Sequence, residues 1–304
     1  MAVFLGTPAA AVPSLAAVAD IDDVELVITR PDRPLGRSGR PAPPPVKAAA
    51  LAWGLPVAQP ESAAELARTL EAASPEFAVV VAYGRILKPA ALAASRLGFV
   101  NVHFSLLPRW RGAAPVEHAI LAGDERTGVS LMLIDEGLDT GPLLAGMETP
   151  IADDETGGSL TARLSYLAAK LLDDMLPDYL EGRLQSVPQL SGGVRQAPPF
   201  TKAEAQLDAS WEAAHILRAV RAFRPRPGAW IDLDGEPVKI WAVQASDATA
   251  DSGSVTVVNG APVFGTSSGS VELVTVQPPG KRPVDGGSWI NGRRGVGGSV
   301  RSVQ

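Results

Sequence analysis

The sequence has no cysteine, which excludes disulfides, thiol nucleophiles, iron–sulfur clusters and zinc–thiolate sites. Histidine is nearly as scarce: His103, His118 and His215 are scattered without ligand spacing, so no metal site is expected. No stretch approaches the roughly 20 apolar residues of a membrane-spanning helix. The opening Met1-Ala-Val-Phe-Leu-Gly-Thr-Pro8 lacks the basic segment and apolar run of a secretory signal. A cytoplasmic protein without membrane contact is the expectation. The turn Gly6-Thr7-Pro8 is not a Gly-x-Gly-x-x-Gly fingerprint, Pro8 removes an N–H donor from the helix start, and no P-loop occurs. Dinucleotide redox chemistry therefore loses its usual phosphate cradle.

At 304 residues, 46% of them hydrophobic, the chain is long for one domain and can supply a core for each of two. A net charge of −6 argues against nucleic acid as an average, but the average is uneven. Residues 206–304 hold ten Lys+Arg against nine Asp+Glu, and residues 1–205 hold seventeen against twenty-four. Within the acidic part, Arg30, Arg33, Arg37, Arg40 and Lys47 cluster in a stretch whose one acid is Asp32. Its first part, residues 30–45, contains six prolines and two glycines and reads as a long surface loop, a type that is commonly functional.

The order of elements predicts an α/β domain. Val3–Leu5, an Ala-rich helix to Ala19 and Glu25–Thr29 open a βαβ unit. Helices are expected at Val46–Trp53 and Ala63–Ala73, and the continuous apolar run Phe77–Ala82 reads as a strand buried on both faces. Phe99–His103, a helix over Pro115–Ala122, a strand over Val129–Ile134 and a helix over Gly157–Leu180 follow, the last with Ala162, Leu164, Leu167, Leu171 and Met175 as its apolar side. This is a doubly wound, mostly parallel α/β sheet over residues 1–185, with ligands expected at the carboxyl ends of its strands. Residues 186–205 read as a polar linker in which Thr201-x-x-Glu204 would cap a short helix. In 206–304, a helix over Trp211–Phe223 precedes five short strands: Ala229–Leu233, Val238–Val243, Gly253–Val258, Pro262–Gly265 and Val271–Val276. They suggest a small OB-like β-barrel, with the Gly/Arg-rich tail after Ser288 as a final helical turn or disordered.

Asn101 and His103 end an apolar strand and stand two apart, so both face the same side. With Asp139 in the loop Asp135-Glu-Gly-Leu-Asp139-Thr-Gly141, they form a convergent polar set. A neutral amide can hold a developing oxyanion, an imidazole can carry a proton, and a carboxylate near the imidazole favours its charged form. The set suits making or breaking an acyl-type bond. Ser105 lacks a Gly-x-Ser-x-Gly elbow and reads as a turn residue rather than a nucleophile. Arg109 and Arg111 flank Trp110 and either hold an anionic substrate or pack; His118 and His215 read as structural.

The segment Asn101-Val-His103-Phe-Ser-Leu-Leu-Pro108-Arg-Trp-Arg-Gly-Ala-Ala-Pro115, with Asp135–Gly141, resembles the signature of the folate-dependent formyltransferases, within them the branch acting on methionyl-tRNA. Phe4-Leu-Gly-Thr-Pro8, Thr29-Arg-Pro-Asp-Arg-Pro34, Val80-Val-Ala-Tyr-Gly84, Arg221-Ala-Phe-Arg-Pro225 and Pro237-Val-Lys-Ile-Trp241 extend the likeness along the chain. The resemblance implies a Rossmann-like formyltransferase domain followed by a tRNA-binding, OB-like barrel. It implies transfer of the formyl group of 10-formyltetrahydrofolate to the free α-amino group of initiator methionyl-tRNA, as a step of translation initiation, with no permanently bound cofactor. By that likeness Asn101, His103 and Asp139 are catalytic. Tyr83, Gly84, Arg85, Ile86 and Leu87, with Ser105, Leu106, Leu107 and Pro108, line the folate site, and Arg37 and Arg40, hinged by Gly36 and Gly39, contact tRNA. Two departures stand out: Phe104 occupies a position where glycine commonly follows the histidine, and the loop is less lysine-rich than in many relatives.

Three other readings compete. A formyltransferase for a sugar amine or a purine-pathway amine would use the same folate chemistry, a non-catalytic tRNA-binding module would leave the α/β domain vestigial, and an NAD-dependent oxidoreductase is disfavoured by the missing fingerprint. Without an exposed self-complementary apolar face in the pattern, a monomer is expected.

Overall fold

The computed structural model describes residues 1–34, 39 and 41–302. In chain order come β1 (Ala2–Gly6), α1 (Val12–Ile21), β2 (Val24–Ile28), the two-residue strands β3 (Arg33–Pro34) and β4 (Pro41–Ala42), α2 (Pro45–Ala52), β5 (Val57–Ala58), α3 (Ala63–Ala73), β6 (Phe77–Val81), α4 (Pro89–Leu92), β7 (Phe99–His103), α5 (Pro115–Ala122), β8 (Arg126–Leu133), β9 (Leu143–Pro150) and α6 (Gly157–Leu180). One seven-stranded sheet has the order β5-β2-β1-β6-β7-β8-β9. Its pairings are parallel through β7 and antiparallel from β7 onward.

β1 and β6 are buried at every position, as continuous apolar strands must be when both faces are covered. α3 starts at Ser62, whose Oγ accepts the Glu65 N–H at 3.1 Å, and ends on Ser74 in the left-handed region, so sequence and structure agree on its bounds. α6 also has its expected bounds, but its buried stripe runs through Leu160, Leu164, Ala168, Leu171, Leu172 and Leu176. Ala162 lies on the exposed side, because an alanine carries too little apolar surface to fix a helix face. β8 runs antiparallel to β7 within the expected mostly parallel sheet, and β9 has no counterpart among the expected elements: its alternating pattern buries Leu144 and leaves three of its eight residues exposed.

The chain packs as two compact units, neither contiguous in sequence. One comprises Met1–Pro115, Arg126–Pro150 and Thr161–Ala197; the other comprises Val116–Glu125, Ile151–Leu160 and Pro198–Gln304. The expected spans 1–185, 186–205 and 206–304 were contiguous. Local contacts explain why 116–125 and 151–160 join the second unit. Arg218 donates from Nε to the Leu121 carbonyl at 3.1 Å, His118 stacks on Phe200 at 4.4 Å, and a Cβ on Gly157 would fall 2.4 Å from the Ala222 carbonyl oxygen. His118 is thus structural, as is His215, edge-on to Trp211 at 4.7 Å, with burial pushing its pKa down.

In the second unit, α7 (Ala213–Ala222) precedes β10 (Trp230–Leu233), β11 (Glu236–Ser246), β12 (Ser254–Val258), β13 (Ala261–Gly265), β14 (Ser270–Gln277), β15 (Val284–Asp285), α8 (Gly286–Gly292) and β16 (Gly298–Arg301). The order β11-β10-β16-β12-β13-β14 closes through β11–β14 into a six-stranded barrel, with β15 added on β14. The sixth strand comes from the Gly/Arg-rich tail, which inserts β16 between β10 and β12. A Cβ on Gly297 would fall 1.8 Å from the Val255 carbonyl oxygen, so glycine permits this close approach. Thr201 and Glu204 do form their reciprocal box, with Glu204 Oε2 accepting from the Thr201 N–H and hydroxyl at 2.8 and 2.7 Å, but around a single turn rather than a helix.

Candidate active site

β7 sets the geometry. Asn101 pairs with Val80 of β6 and Met132 of β8, and His103 with Ser130 of β8, so both side chains leave one face of a strand held on both edges. His103 is 6% exposed. Its Nε2 lies 2.8 Å from the Trp110 carbonyl oxygen, and because a carbonyl only accepts, Nε2 carries a proton. The other ring nitrogen, Nδ1, faces Asp139 Oδ2 at 3.7 Å. The half-buried Asn101 carboxamide makes no hydrogen bond among the described residues, leaving a donor available on the same face.

Asp139 reaches this face by an indirect route. Since β8 runs antiparallel, the chain after Leu133 leaves beside the start of β7, where the Ile134 N–H donates to the Phe99 carbonyl at 2.8 Å. The loop to β9 then folds back toward His103, and Asp139 Oδ2 accepts the Gly112 N–H at 2.8 Å. Asp139 and Trp110 both sit in the left-handed region, with φ of 53° and 65°. For non-glycine residues that conformation costs about 1–3 kcal/mol and persists where surrounding contacts impose it. Here Ser105 Oγ donates to the Arg109 carbonyl at 2.6 Å, and Ser130 Oγ donates to the Ser105 carbonyl while accepting the Leu107 N–H at 2.8 and 3.1 Å. Ser105 is thereby a turn residue. Gly112 has no substitute: φ is 129° and a Cβ would stand 2.5 Å from the Ala197 carbonyl oxygen.

Several residues expected along the folate site turn inward. Tyr83 is 2% exposed, with its ring in a core cluster containing Val3, Leu5 and Ile28. Its phenolic oxygen has no partner among the described residues and burial pushes its pKa up, while its carbonyl accepts from Thr7 Oγ1 at 2.9 Å. Leu87, Ser105 and Leu107 are also buried, and Leu106 and Pro108 are half-buried. At the buried positions the backbone, not the side chain, is what can meet a ligand. Gly84 is open, with nothing within 4 Å of a Cβ position, and Arg85 is tied to the Pro60 and Glu61 carbonyls at 3.2 and 2.5 Å. Two large apolar side chains stand out into solvent on the loops in question, Ile86 at 68% and Leu138 at 58% exposed.

Arg37 and Arg40 lie outside the described residues. The roots of their loop are fixed by β3 pairing with β4 and by a clasp between Asp32, Lys47 and Gln59. Lys47 Nζ donates to both Asp32 carboxylate oxygens at 2.8 and 2.9 Å and to Gln59 Oε1 at 2.6 Å; Gln59 Nε2 donates to Asp32 Oδ1 and the Arg30 carbonyl, each at 2.8 Å. Lys47 and Gln59 hold the Asp32 carboxyl below the usual carboxylate range. Lys47, counted in sequence with the free basic charge, is an internal tie. Arg109 and Arg111 likewise pack: the Arg109 guanidinium lies 4.4 Å over the Trp110 ring, and Arg111 donates from Nε and Nη2 to Gln189 Oε1 at 3.1 and 2.6 Å. Gln189 has no local sequence signal, since it lies in what reads as a linker. Among the described residues no cluster of three or more His, Cys, Asp or Glu side chains could hold a metal, and no helix is long and apolar enough to cross a membrane.

Comparison with known proteins identifies the family. Residues 3–176 match the formyl transferase model and residues 199–294 match the formyl transferase C-terminal domain. A methionyl-tRNA formyltransferase of Halorhodospira halophila is 47% identical over 301 residues, covering 97% of each chain. Among solved structures, HypX from Aquifex aeolicus superposes with a TM-score of 0.69 at 15% identity, covering 97% of this chain, which spans about half of HypX (48%). An N-formyltransferase from Helicobacter canadensis, solved with folinic acid and dTDP-3-aminofucose, superposes with a TM-score of 0.67 at 17% identity over 91% of this chain and 98% of its own. At those identities the two structures speak to the fold. Two domain matches and near-half identity along the whole length settle the family: the chain belongs to the formyl transferases and, within them, to the methionyl-tRNA formyltransferases.

Proposed function

We propose that Asn101, His103 and Asp139 catalyse transfer of the formyl group of 10-formyltetrahydrofolate to the α-amino group of initiator methionyl-tRNA, in a monomer working in the cytoplasm. The observation that carries this reading is an amide with no hydrogen bond among the described residues, on the same strand face as an imidazole whose Nδ1 faces a carboxylate at 3.7 Å. The donor set fits a formylated pterin: a neutral amide for the formyl oxygen, open backbone at Gly84, and exposed apolar side chains at Ile86 and Leu138 for the ring system. When bound, the folate derivative supplies an activated formyl carbon.

The chain's own residues then divide the work. Asn101 donates from its carboxamide to the formyl oxygen, where negative charge develops as the amine attacks. With Nε2–H occupied by the Trp110 carbonyl, Nδ1 is the nitrogen of His103 that can exchange a proton, and Asp139 Oδ2 faces it at 3.7 Å. An α-amino group titrates at about 7.7–8.0 and is partly neutral at cytoplasmic pH, so Asp139 can take its proton directly or through water without being a strong base. Collapse of the tetrahedral adduct breaks the bond to N10 of the folate, which leaves as the free amine after taking a proton from His103 Nδ1.

The test is to incubate aminoacylated initiator tRNA with the protein and 10-formyltetrahydrofolate and read the product by mass spectrometry. Formylation of the methionyl group is expected; an unformylated tRNA alongside formylation of an amino-sugar nucleotide would replace this reading with the sugar one.

The clasp at the loop roots makes a separate prediction. Lys47→Met is expected to raise KM for tRNA roughly threefold to tenfold, through loss of charge-assisted hydrogen bonds, with kcat and the folate KM unchanged. The clasp's pH dependence follows from the direction of the Asp32 shift. A lowered carboxyl contributes fully above its ordinary range and is lost only as pH falls through its folded value, so steady-state KM for tRNA should show no clasp-dependent change between neutral and mildly acidic pH.

A further inference from the structure

We propose that Gln189 is a positioning residue for Asp139, tying the loop that carries the carboxylate to the loop that carries Trp110 and Gly112. Its Nε2 donates to the carbonyls of Asp139 and Gly141 at 2.9 and 2.8 Å, and its Oε1 accepts from Arg111 Nε and Nη2 at 3.1 and 2.6 Å. Both donors and both lone pairs of the carboxamide are in use, so its orientation is fixed. Flipping it would set the amide against a guanidinium and the oxygen against two carbonyls.

The backbone around Gln189 follows the same path. Val187 exchanges hydrogen bonds of 2.8 Å with Leu143, where the Asp139 loop re-enters β9. Further on, the Arg195 carbonyl accepts the Arg111 N–H at 2.8 Å, the Ala197 N–H donates to the Arg111 carbonyl at 2.7 Å, and the Ala197 carbonyl accepts the Ala114 N–H at 3.0 Å. Residues 187–197 are therefore a strap beneath both site loops. Gln189 is the point at which a side chain of the strap bonds to the peptide of Asp139 itself, a residue held at a φ of 53°. Releasing that carbonyl frees the peptide to rotate out of a costly conformation, and a misplacement of about 1 Å in a catalytic group can cost roughly 100-fold in rate.

This rests on the reading of Asp139 as the partner of His103, and the experiment separates the two. Gln189→Met removes both ties, and Gln189→Glu keeps the acceptor for Arg111 while turning a carboxylate against two carbonyls. Both variants are expected to lose roughly 10- to 100-fold in kcat, with KM for either substrate within about twofold of the parent, and to move the pH profile of kcat. Placed on Asp139→Asn, Gln189→Met is expected to cost nothing further, because the group it positions is already disabled. Full kcat in both Gln189 variants, or an undiminished loss from Gln189→Met in the Asp139→Asn background, overturns the positioning role. Full kcat in Asp139→Asn alone overturns the reading of Asp139, and the proposal falls with it.

Discussion

His103→Gln is expected to lower kcat by roughly 10²- to 10⁴-fold, the range for removing a positioned proton carrier. Glutamine keeps an amide N–H at the ε position that can reach the Trp110 carbonyl, so the turn that imidazole Nε2 now satisfies is not left with an orphaned acceptor. What disappears is the second nitrogen, the one facing Asp139, and with it the group proposed to hold and release a proton. KM for folate should change little, because the ring is 6% exposed and offers a ligand scant contact area. Single-turnover formylation of charged tRNA with unchanged circular dichroism is the appropriate measurement. A variant within tenfold of the parent would mean that Asn101 and the loop backbone carry the reaction without the histidine.

Much of the candidate site is legible in sequence because it depends on local periodicity. Phe99–His103 is a short apolar strand in both readings, and the period of two alone brings Asn101 and His103 to one face. The long helices are legible for the same reason, through a cap at Ser62 and sustained 3.6-residue periodicity in α6. Pairing direction is a different matter. β8 carries the same apolar run whether it lies parallel or antiparallel to β7, and β9, which pairs with it at the sheet edge, alternates mostly between half-buried and exposed residues and leaves a faint signal. β16 escapes notice because Val300 is its one buried residue, and its insertion depends on glycines, which carry no hydrophobic signal. The strap escapes for the same reason: main-chain hydrogen bonds and one carboxamide hold it, and neither leaves a pattern in composition.

Gly141→Ala is expected to lower both stability and activity. A Cβ there would lie 1.8 Å from the Leu133 carbonyl oxygen and 3.0 Å from its carbon, so something must shift. Neither side yields freely. Leu133 is paired with Val100 in β7 and its N–H donates to the Pro142 carbonyl at 2.9 Å, while the Gly141 carbonyl is held by Gln189 at 2.8 Å. Overpacking of this kind costs about 1–3 kcal/mol, occasionally more. The easier direction of relief is outward along the loop, which carries Asp139 away from Nδ1 of His103 and breaks the alignment that a 3.7 Å separation provides. The expected outcome is a lowered thermal midpoint together with a kcat loss of roughly 100-fold. Gly192→Ala serves as the control, because nothing lies within 4 Å of its Cβ position, and it should stay within about 0.5 kcal/mol of the parent. If Gly141→Ala lost stability while keeping full kcat, the strain would have been relieved in the β8–β9 pairing instead, and the position of Asp139 would be less tightly coupled to the hairpin than its contacts require.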